Sequence, residues 1–240
     1  MDVLCSGLLS GVPHGFTTRV DGDLRPSAPT SAEAGATLVR GMAGRFLARV
    51  NQVHGARVVT AEEVEAAGDD LLDADAIVST RVDAVLCIRV ADCVPILLST
   101  RGGVAAVHAG WKGTAAGITG AALDRLCRLT GARPSDVRAV VGPCISGEAY
   151  EVGGEVADAL ATVAPAGAGG WRWVGARGRD HADIGLLNAS ILASAGVQVA
   201  RMPVCTVGSP DLWSHRRDGD AAGRQGALIR LANPEGAASG

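Results

Sequence analysis

Four short apolar runs follow one another between residues 75 and 110, and no helix-length segment separates them. They read DAIVST, AVLCIRV, VPILLS and GGVAAVHAG. Short runs of apolar residues without polar alternation are typical of strands that are buried on both faces. Because several strands follow one another without an intervening helix, the pattern favours a mixed sheet with helices packed on it over a doubly wound parallel sheet.

Helix signals flank this group of strands. A helix is predicted at about 31–48, before the apolar runs. A second helix is predicted over 114–129, with Thr114 as its N-cap and Gly131 at its end. Asp183 is predicted to cap a third helix, with the sequence IGLLNASILASA. Strands and helices therefore alternate, but without the strict spacing of βαβ units.

The predicted fold class is α/β of the α+β type, with mixed β-sheet layers and packed helices in a single domain over residues 1–240. A chain of 240 residues can bury roughly 70–75% of the surface that it exposes when unfolded, so it needs no disulfide or partner to form a core. Aromatic residues make up only 3% of the chain, which predicts a core of small aliphatic side chains. Two segments rich in turn-forming residues, 20–36 and 165–170, are predicted to be surface loops.

The charge and the cysteine content limit the possible partners and compartments. The chain carries 22 basic and 25 acidic residues, a net charge of −3, whereas nucleic-acid binding needs a basic face. Six cysteines without a C-x-x-C pair are too few for a secreted disulfide scaffold. The N-terminus lacks the basic region of a signal peptide, and no run approaches the ~20 apolar residues that span a membrane. We therefore expect a cytoplasmic monomer that binds neither nucleic acid nor a membrane.

Three segments share one arrangement, an apolar strand that runs into a short turn carrying a His or a Cys. They are VNQVHG (50–55), IRVADCVP (88–95) and AAVHAGWKG (105–113). Strand ends are rigid positions for polar groups, and adjacent turns bring such groups together. His54, Cys93 and His108 are therefore candidate ligands of one metal ion.

Two imidazoles and one thiolate form a donor set typical of zinc. Catalytic zinc sites commonly use three protein ligands and leave a fourth position for water, whose pKa the metal lowers to about 7. Copper also binds thiolate and imidazole, so it is an alternative metal. The gaps of 39 and 15 residues, from 54 to 93 and from 93 to 108, match no short metal-binding motif. From spacing alone, a turn histidine, a buried thiol and a core histidine explain the three residues better.

The motifs around these residues closely resemble the YfiH-like family, also called the laccase-domain or polyphenol-oxidase family. The matching segments, in order, are NQVHG, ADCVPILL, AAVHAGWKGTAAGI, VGPCISGEAYEVG, and SHRRDG to GRQGALIRL. The resemblance runs from about residue 11 to 232. It implies a mixed α/β fold with one zinc at His54, Cys93 and His108. It also implies an enzyme that cleaves adenosine, inosine and methylthioadenosine with phosphate and that deaminates adenosine.

The chain departs from the pattern of this family in three places. After GFTTR (15–19) the family has a longer stretch with an SLNLG-like motif, which DGDLRPSAPTSAEAGA replaces. The GPAIGPCC-type loop is GPCISGEA in this chain, with its cysteine at Cys144. The C-terminal C-T-x-C pattern lacks its second cysteine, because Gly208 stands there. The first departure concerns substrate specificity, since that stretch lies near the site in the family.

Other side chains in the motifs are candidates for catalysis and substrate binding. Asp92, next to Cys93, is a candidate for orienting a ligand or transferring a proton alongside Cys93 and His108, and its alternative role is to cap a turn. Cations beside Gly-rich turns can hold phosphate, and Trp111 can stack on a purine or pack in the core. The candidate substrate-binding residues are Arg19, Trp111, Lys112, Cys144 and Arg216, with Arg217 as a further candidate for phosphate.

The first functional hypothesis is a zinc-dependent purine nucleoside phosphorylase with adenosine deaminase activity. The second is an amide hydrolase that edits a peptidoglycan precursor, with Cys93 as nucleophile and His108 as base. A third is a non-catalytic binding domain. A four-copper oxidase is excluded because the chain has five histidines and no H-x-H pair, which leaves polyphenol oxidation by one bound copper as a side activity.

Overall fold

The computed structural model describes residues 3–233. In that range the chain forms seven α-helices: α1 Ser31–Gly41, α2 Ala61–Ala67, α3 Trp111–Ala115, α4 Ile118–Thr130, α5 Gly154–Ala161, α6 Ile184–Ser194 and α7 His215–Asp218. None of these helices is both long and apolar enough to cross a membrane.

The same range contains thirteen strands. They are β1 His14–Phe16, β2 Phe46–Ala48, β3 Val58–Thr60, β4 Ala76–Ser79, β5 Ala84–Val90, β6 Val94–Thr100, β7 Gly103–Ala109, β8 Arg138–Val141, β9 Glu151–Val152, β10 Arg172–Val174, β11 Asp180–Ala182, β12 Gln198–Arg201 and β13 Gln225–Ile229.

These strands form three sheets. The largest has the order β12-β8-β6-β7-β4-β3, the second β1-β13-β5-β2 and the third β10-β11-β9. The pairs β12/β8, β2/β5 and β3/β4 are parallel, and the other neighbouring pairs are antiparallel. The prediction of mixed sheet layers with packed helices is confirmed.

The six-stranded sheet is covered on both faces, which explains the unbroken apolar runs of its central strands. On one face, Ile77 and Leu97 share a core with Leu86 and Ile229 of the four-stranded sheet. The opposite face packs against α4 and α6, in a core that includes Val78, Ile96, Leu98, Val107, Leu126 and Leu187. Successive residues along one strand thus enter different cores, because side chains alternate between the faces of a sheet.

The helix predicted at 31–48 is shorter than expected. α1 ends at Gly41, and β2 begins only five residues later at Phe46. β2 pairs in parallel with β5, so a pairing partner that is distant in sequence determines its conformation. Propensity within a short window cannot include such a partner.

The helix predicted from Thr114 is interrupted. α3 already starts at Trp111, and Gly117 separates it from α4 with a left-handed φ of 83°. Thr114 is not an N-cap, because it lies inside α3, where its hydroxyl accepts a hydrogen bond of 2.9 Å from the Asn188 side chain. The predicted end at Gly131 is confirmed, since this residue has a left-handed φ of 71°.

Two predicted surface segments contain little regular structure. The segment 20–36 is irregular until α1 begins at Ser31, apart from a single 3-10 turn at its start. Residues 165–170 contain no helix or strand. The predicted cap of α6 is confirmed, because the carboxylate of Asp183 accepts a hydrogen bond of 2.6 Å from the backbone N–H of Leu186.

Candidate functional site

The β6–β7 hairpin brings Cys93 and His108 to one end of the six-stranded sheet. β6 begins directly after Cys93, and in its register Val94 faces Ala109 while Pro95 faces His108. In an antiparallel pair the start of one strand lies beside the end of the next. The two side chains are therefore neighbours although other strand residues separate them in sequence.

His54 reaches the same place from the turn between β2 and β3. Its backbone is left-handed, with a φ of 60°, a conformation that is uncommon for residues other than glycine. The carboxylate of Asp75 accepts hydrogen bonds from the backbone N–H groups of Val53 (3.3 Å), His54 (3.0 Å) and Gly55 (2.7 Å). Successive N–H groups that converge on one anion stabilise such a turn.

Asp75 also orients the ring of His108. Its Oδ1 lies 2.7 Å from Nδ1 of His108, and its carbonyl accepts a hydrogen bond of 2.8 Å from the His108 backbone N–H. The Asp75 side chain is fully buried and His108 is 3% exposed. This contact leaves Nε2 of His108 as the ring nitrogen that is available to a metal.

The three candidate ligands form one compact group, called the metal group below. The donor atoms of His54, Cys93 and His108 all lie within 4.8 Å of one another. Sγ of Cys93 is 3.9 Å from Nε2 of His54, and the two imidazole rings meet edge to face with their centres 4.8 Å apart. Two ring nitrogens and a thiolate can hold a metal ion, and this donor set suits zinc or copper.

The metal group is electrostatically coupled. Burial raises the pKa of the Cys93 thiol, but the charge of His108 and hydrogen bonds from His108 and His54 outweigh burial and lower that pKa. Burial lowers the pKa of His108, whereas the Cys93 thiolate and Asp75 raise it more strongly. Burial likewise raises the pKa of Asp75, and its hydrogen bonds from His108 and the backbone lower it below the usual range. Cys93 and His108 therefore each stabilise the charged form of the other.

The metal group borders a cavity of about 290 Å³, called the apolar cavity below. His54 and Cys93 form its boundary with the metal group. Most of its other walls are apolar or aromatic and come from Val53, Trp111, Ile145, Tyr150 and Ile184. A flat, largely apolar ring system is the kind of ligand that such walls accommodate.

The metal group also borders a second cavity of about 440 Å³, called the basic cavity below. His54, Cys93 and His108 all border it. Its cationic and amide side chains are those of Arg25, Asn51, Gln52, Arg89 and Arg224, and His215 adds an imidazole. Among residues 3–233, no Asp or Glu lines this cavity. The metal group thus borders both an apolar cavity and a basic one.

Two predicted substrate-binding residues, Trp111 and Lys112, lie in the apolar cavity at the start of α3. Nζ of Lys112 is 5.6 Å from the centre of the Trp111 ring. Arg216 lies beside the same cavity, with its guanidinium 5.2 Å from the ring centre of Tyr150. Its side chain also donates hydrogen bonds to the carbonyl of Glu151.

Asp92 lines the apolar cavity, but its carboxylate connects distant segments and makes no hydrogen bond to the side chains of the metal group within the described residues. It accepts hydrogen bonds from the Thr206 hydroxyl (2.5 Å) and the Arg216 backbone N–H (2.6 Å). Its backbone is strained, with a φ of 87°. Asp75, and not Asp92, is therefore the carboxylate that orients a candidate ligand, while a proton-transfer role for Asp92 remains a prediction.

Three other predicted residues line neither cavity. Arg19 forms an ion pair of 2.5 Å with Asp218 and stacks on Trp213. Arg217 also pairs with Asp218 and donates to backbone carbonyls. Cys144 is buried, and burial raises the pKa of its thiol to about 12. Their roles in substrate binding stay predictions, because none of the three lines a cavity that borders the metal group.

The sequence interpretation did not identify Asp75, Tyr150 or Arg89. Asp75 is the single charged residue of DAIVST, and Arg89 is the single charged residue of AVLCIRV. A lone charge in an otherwise apolar strand needs a partner when it is buried, and this signal was available for both residues. Tyr150 is the only tyrosine of the chain and lies in the motif VGPCISGEAYEVG, from which the interpretation took only Cys144 as a candidate.

Gly110 is required by the close approach of two candidate ligands. A Cβ atom at this position would lie 2.8 Å from Cδ2 of His54 and 3.0 Å from Sγ of Cys93. We expect Gly110→Ala to displace His54, to weaken metal binding about tenfold, and to cost about 1–3 kcal/mol of folding free energy through overpacking. Metal titration and urea unfolding measure the two effects.

Gly120→Ala is the matched control for this substitution. Gly120 lies in α4, and a Cβ there would meet nothing within 4 Å. Because alanine favours a helix over glycine, this variant should gain about 0.5–1 kcal/mol and keep its metal affinity. Equal metal affinity in Gly110→Ala and Gly120→Ala would show that the contact is unimportant.

Comparisons with known proteins agree with this architecture. A family model described as multi-copper polyphenol oxidoreductase laccase matches residues 31–232. The chain is 39% identical to a Deinococcus radiodurans protein named purine nucleoside phosphorylase, over 94% of this chain and 91% of that one.

Two solved structures share the fold. The crystal structure of YlmD from Geobacillus stearothermophilus matches with a TM-score of 0.85 and 24% identity, over 95% of this chain and 94% of that one. The crystal structure of a Bacillus licheniformis hypothetical protein, YfiH, matches with a TM-score of 0.81 and 26% identity, over 92% of each chain. From these matches and the family model together, the chain belongs to the YfiH-like, laccase-domain family.

Proposed function

We propose that this protein is a zinc-dependent purine nucleoside phosphorylase that cleaves adenosine, inosine and methylthioadenosine with phosphate and that also deaminates adenosine. One observation carries the proposal: the metal group borders both an apolar cavity and a basic one. Phosphorolysis needs two such compartments, one for a flat purine and one for an anion. The name of the Deinococcus radiodurans relative supports the same reaction class.

In this proposal the apolar cavity takes the purine base. Trp111 and Tyr150 offer aromatic surfaces on which the flat face of any purine can stack. Lys112 lines the same cavity. Its ammonium can donate a hydrogen bond to the base as the bond between the sugar C1′ and the purine nitrogen breaks and negative charge develops on that nitrogen.

The metal group would supply the ligands of the zinc, and Asp75 would orient one of them. His54, Cys93 and His108 would hold the zinc, and Asp75 would keep Nε2 of His108 directed away from its own carboxylate. When bound, zinc supplies a Lewis acid that polarises an oxygen or nitrogen atom of the substrate. Copper has the higher intrinsic affinity for such donors. The choice of zinc as the bound metal is therefore part of the proposal.

The experiment is a product analysis with adenosine, carried out with and without phosphate. We expect adenine and ribose 1-phosphate only when phosphate is present, and inosine under both conditions. Substituting inosine and methylthioadenosine for adenosine tests the proposed substrate range. Absence of turnover under every condition, with one zinc bound per chain, would refute the proposed activity.

Trp111→Ala is expected to raise the KM for adenosine by about tenfold and to leave the KM for phosphate nearly unchanged. The reason is the loss of base stacking, which contributes about 1–3 kcal/mol. Trp173→Ala is the control, because Trp173 stacks on His181 with ring centres 5.5 Å apart and lines neither cavity. Steady-state kinetics with each substrate varied in turn measure both effects. Equal adenosine KM values in the two variants would exclude Trp111 from base binding.

The charge coupling of the metal group favours a second candidate function, amide hydrolysis. A thiolate beside an imidazolium that a carboxylate orients is the arrangement of a Cys-His nucleophile and base, and Cys93, His108 and Asp75 provide it. A thiolate that is bound to zinc is a poor free nucleophile. We expect zinc to protect Cys93 from iodoacetamide, as measured by mass spectrometry of the labelled peptide. Rapid labelling of Cys93 in the zinc-loaded protein would instead favour the hydrolase.

A further inference from the structure

Arg89 is a buried cation without an anionic partner. It lies in β5 and is only 8% exposed. Its Nη2 donates to the carbonyl of Val50 (2.8 Å), and its Nε donates to Oε1 of Gln52 at a longer distance of 3.4 Å. Its Nη1 is buried and has no hydrogen-bond partner within residues 3–233. In the same range no carboxylate forms an ion pair with it.

The surroundings of Arg89 make an uncompensated positive charge at this position more unfavourable. Burial lowers the pKa of Arg89, and the nearby guanidinium groups of Arg49 and Arg224 lower it further. Burying a charge without a counter-charge is strongly unfavourable, and an unpaired buried N–H adds a desolvation cost. A negatively charged ligand would relieve both costs at once.

Arg89 lines the basic cavity together with two further arginines. The side chain of Arg224 donates only to the backbone carbonyls of Ala222 and Gly223, each at 2.9 Å. Arg25 already pairs with Asp23 at 2.7 Å, so its charge is partly neutralised. The cavity therefore contains at least two guanidinium groups, those of Arg89 and Arg224, whose charge is not balanced by a described carboxylate.

We infer that the basic cavity is a binding site for a phosphate-type oxyanion, with Arg89 and Arg224 as its principal charges. The choice of inorganic phosphate as the ligand rests on the proposed phosphorolysis, whereas the oxyanion site itself rests on the unpaired guanidinium groups. Guanidinium groups are suited to this task because their planar N–H pairs match the spacing of phosphate oxygens. The volume of about 440 Å³ also admits the phosphate monoester of a nucleotide.

The location of the site gives the oxyanion a direct relation to the metal group. His54, Cys93 and His108 border the same cavity as Arg89. A phosphate held there would lie next to the metal group, which also borders the apolar cavity proposed for the base. Arg25, Pro26 and Ser27 of the segment 20–36 complete the wall of the cavity. The segment in which this chain departs from the family pattern therefore contributes to the proposed anion site.

The test measures phosphate binding directly, without turnover, by titrating the purified full-length protein with inorganic phosphate in a calorimeter. We expect the Kd to rise at least about tenfold in Arg89→Met, the effect of losing one charge-assisted hydrogen bond. Arg224→Met should weaken binding similarly, and Arg89→Lys should recover part of the affinity. Arg128→Met is the control, because Arg128 is exposed on α4 and lines neither cavity.

A second titration, with adenosine 5′-monophosphate, distinguishes the two sources of the oxyanion. Binding of the nucleotide but not of inorganic phosphate, lost in Arg89→Met, would support the site and reject free phosphate as its ligand. Phosphate binding that depends on Arg89 without any nucleoside cleavage would support the site and reject the proposed function.

The site is rejected if the Kd changes less than twofold in both Arg89→Met and Arg224→Met. Circular dichroism establishes that each variant is folded before it is titrated. If Arg89→Met does not fold, Arg89→Lys and Arg224→Met decide the question. An unchanged Kd in Arg224→Met would then reject the site, and a raised Kd would support it.

Discussion

Replacing His108 by alanine is expected to abolish stoichiometric zinc binding and to lower nucleoside phosphorolysis by at least about 100-fold. Two donors would remain of the three that lie within 4.8 Å of one another. Loss of a group that merely supports a ligand already costs about 10–100-fold in metal affinity or activity, so loss of a ligand should cost more. Metal analysis of the purified variant and the wild-type protein measures the first effect, and product analysis measures the second.

His181→Ala is the matched control for this variant. His181 lies in β11 and binds the carbonyl of Gly147 through Nδ1 at 2.9 Å, away from the metal group. It should retain about one zinc per chain. Equal zinc content in His108→Ala and the wild-type protein would contradict the assignment of the metal group, whatever the activity.

Asp75→Asn is expected to weaken zinc binding about 10–100-fold and to lower the free energy of unfolding by about 2–3 kcal/mol. Asp75 is fully buried and acts only as an acceptor, for Nδ1 of His108 at 2.7 Å and for backbone N–H groups of the His54 turn. An amide replaces one acceptor oxygen by an NH2 group, which would face donors and find no acceptor. One substitution should therefore disturb both histidines. Competition with a chelator and urea unfolding measure the two effects.

Asp73→Asn is the matched control for this variant. It tests whether the loss of a negative charge elsewhere in the same segment has the same effect on zinc binding and stability. Asp73 is exposed, and its carboxylate accepts a hydrogen bond of 2.6 Å from the Asn51 side chain. A surface substitution of this kind should change stability by no more than about 0.5 kcal/mol, and zinc affinity should stay within twofold. If Asp75→Asn behaved like Asp73→Asn, the orienting role of Asp75 would be wrong.

Much of the fold could be predicted from the sequence, because apolar runs indicate buried strands and glycines indicate left-handed backbone positions. The unbroken runs AVLCIRV and VPILLS predicted strands that are buried on both faces, and these are β5 and β6. Gly131 ended its helix as predicted, because the left-handed conformation that closes a helix suits glycine. The prediction was wrong where a distant partner decides the conformation, as at β2, which is a strand because it pairs with β5.

By itself, the sequence determined the mixed-sheet fold class and singled out His54, Cys93 and His108 as candidates. The flanking motifs made these residues recognisable, since spacing alone favoured ordinary structural roles for them. Only the tertiary structure brought their donor atoms within 4.8 Å of one another. The physical reason is the register of the β6–β7 hairpin, which sets Cys93 beside the end of β7.

The roles of the residues that support the site also follow only from the tertiary structure. Asp75 orients His108 because β4 pairs with β7, and Arg89 needs an anion because packing buries it without a carboxylate partner. A sequence records that each of these charges stands alone in an apolar strand. It does not record which side chains surround that charge after folding, and those neighbours determine whether a charge is paired inside the protein or left for a ligand.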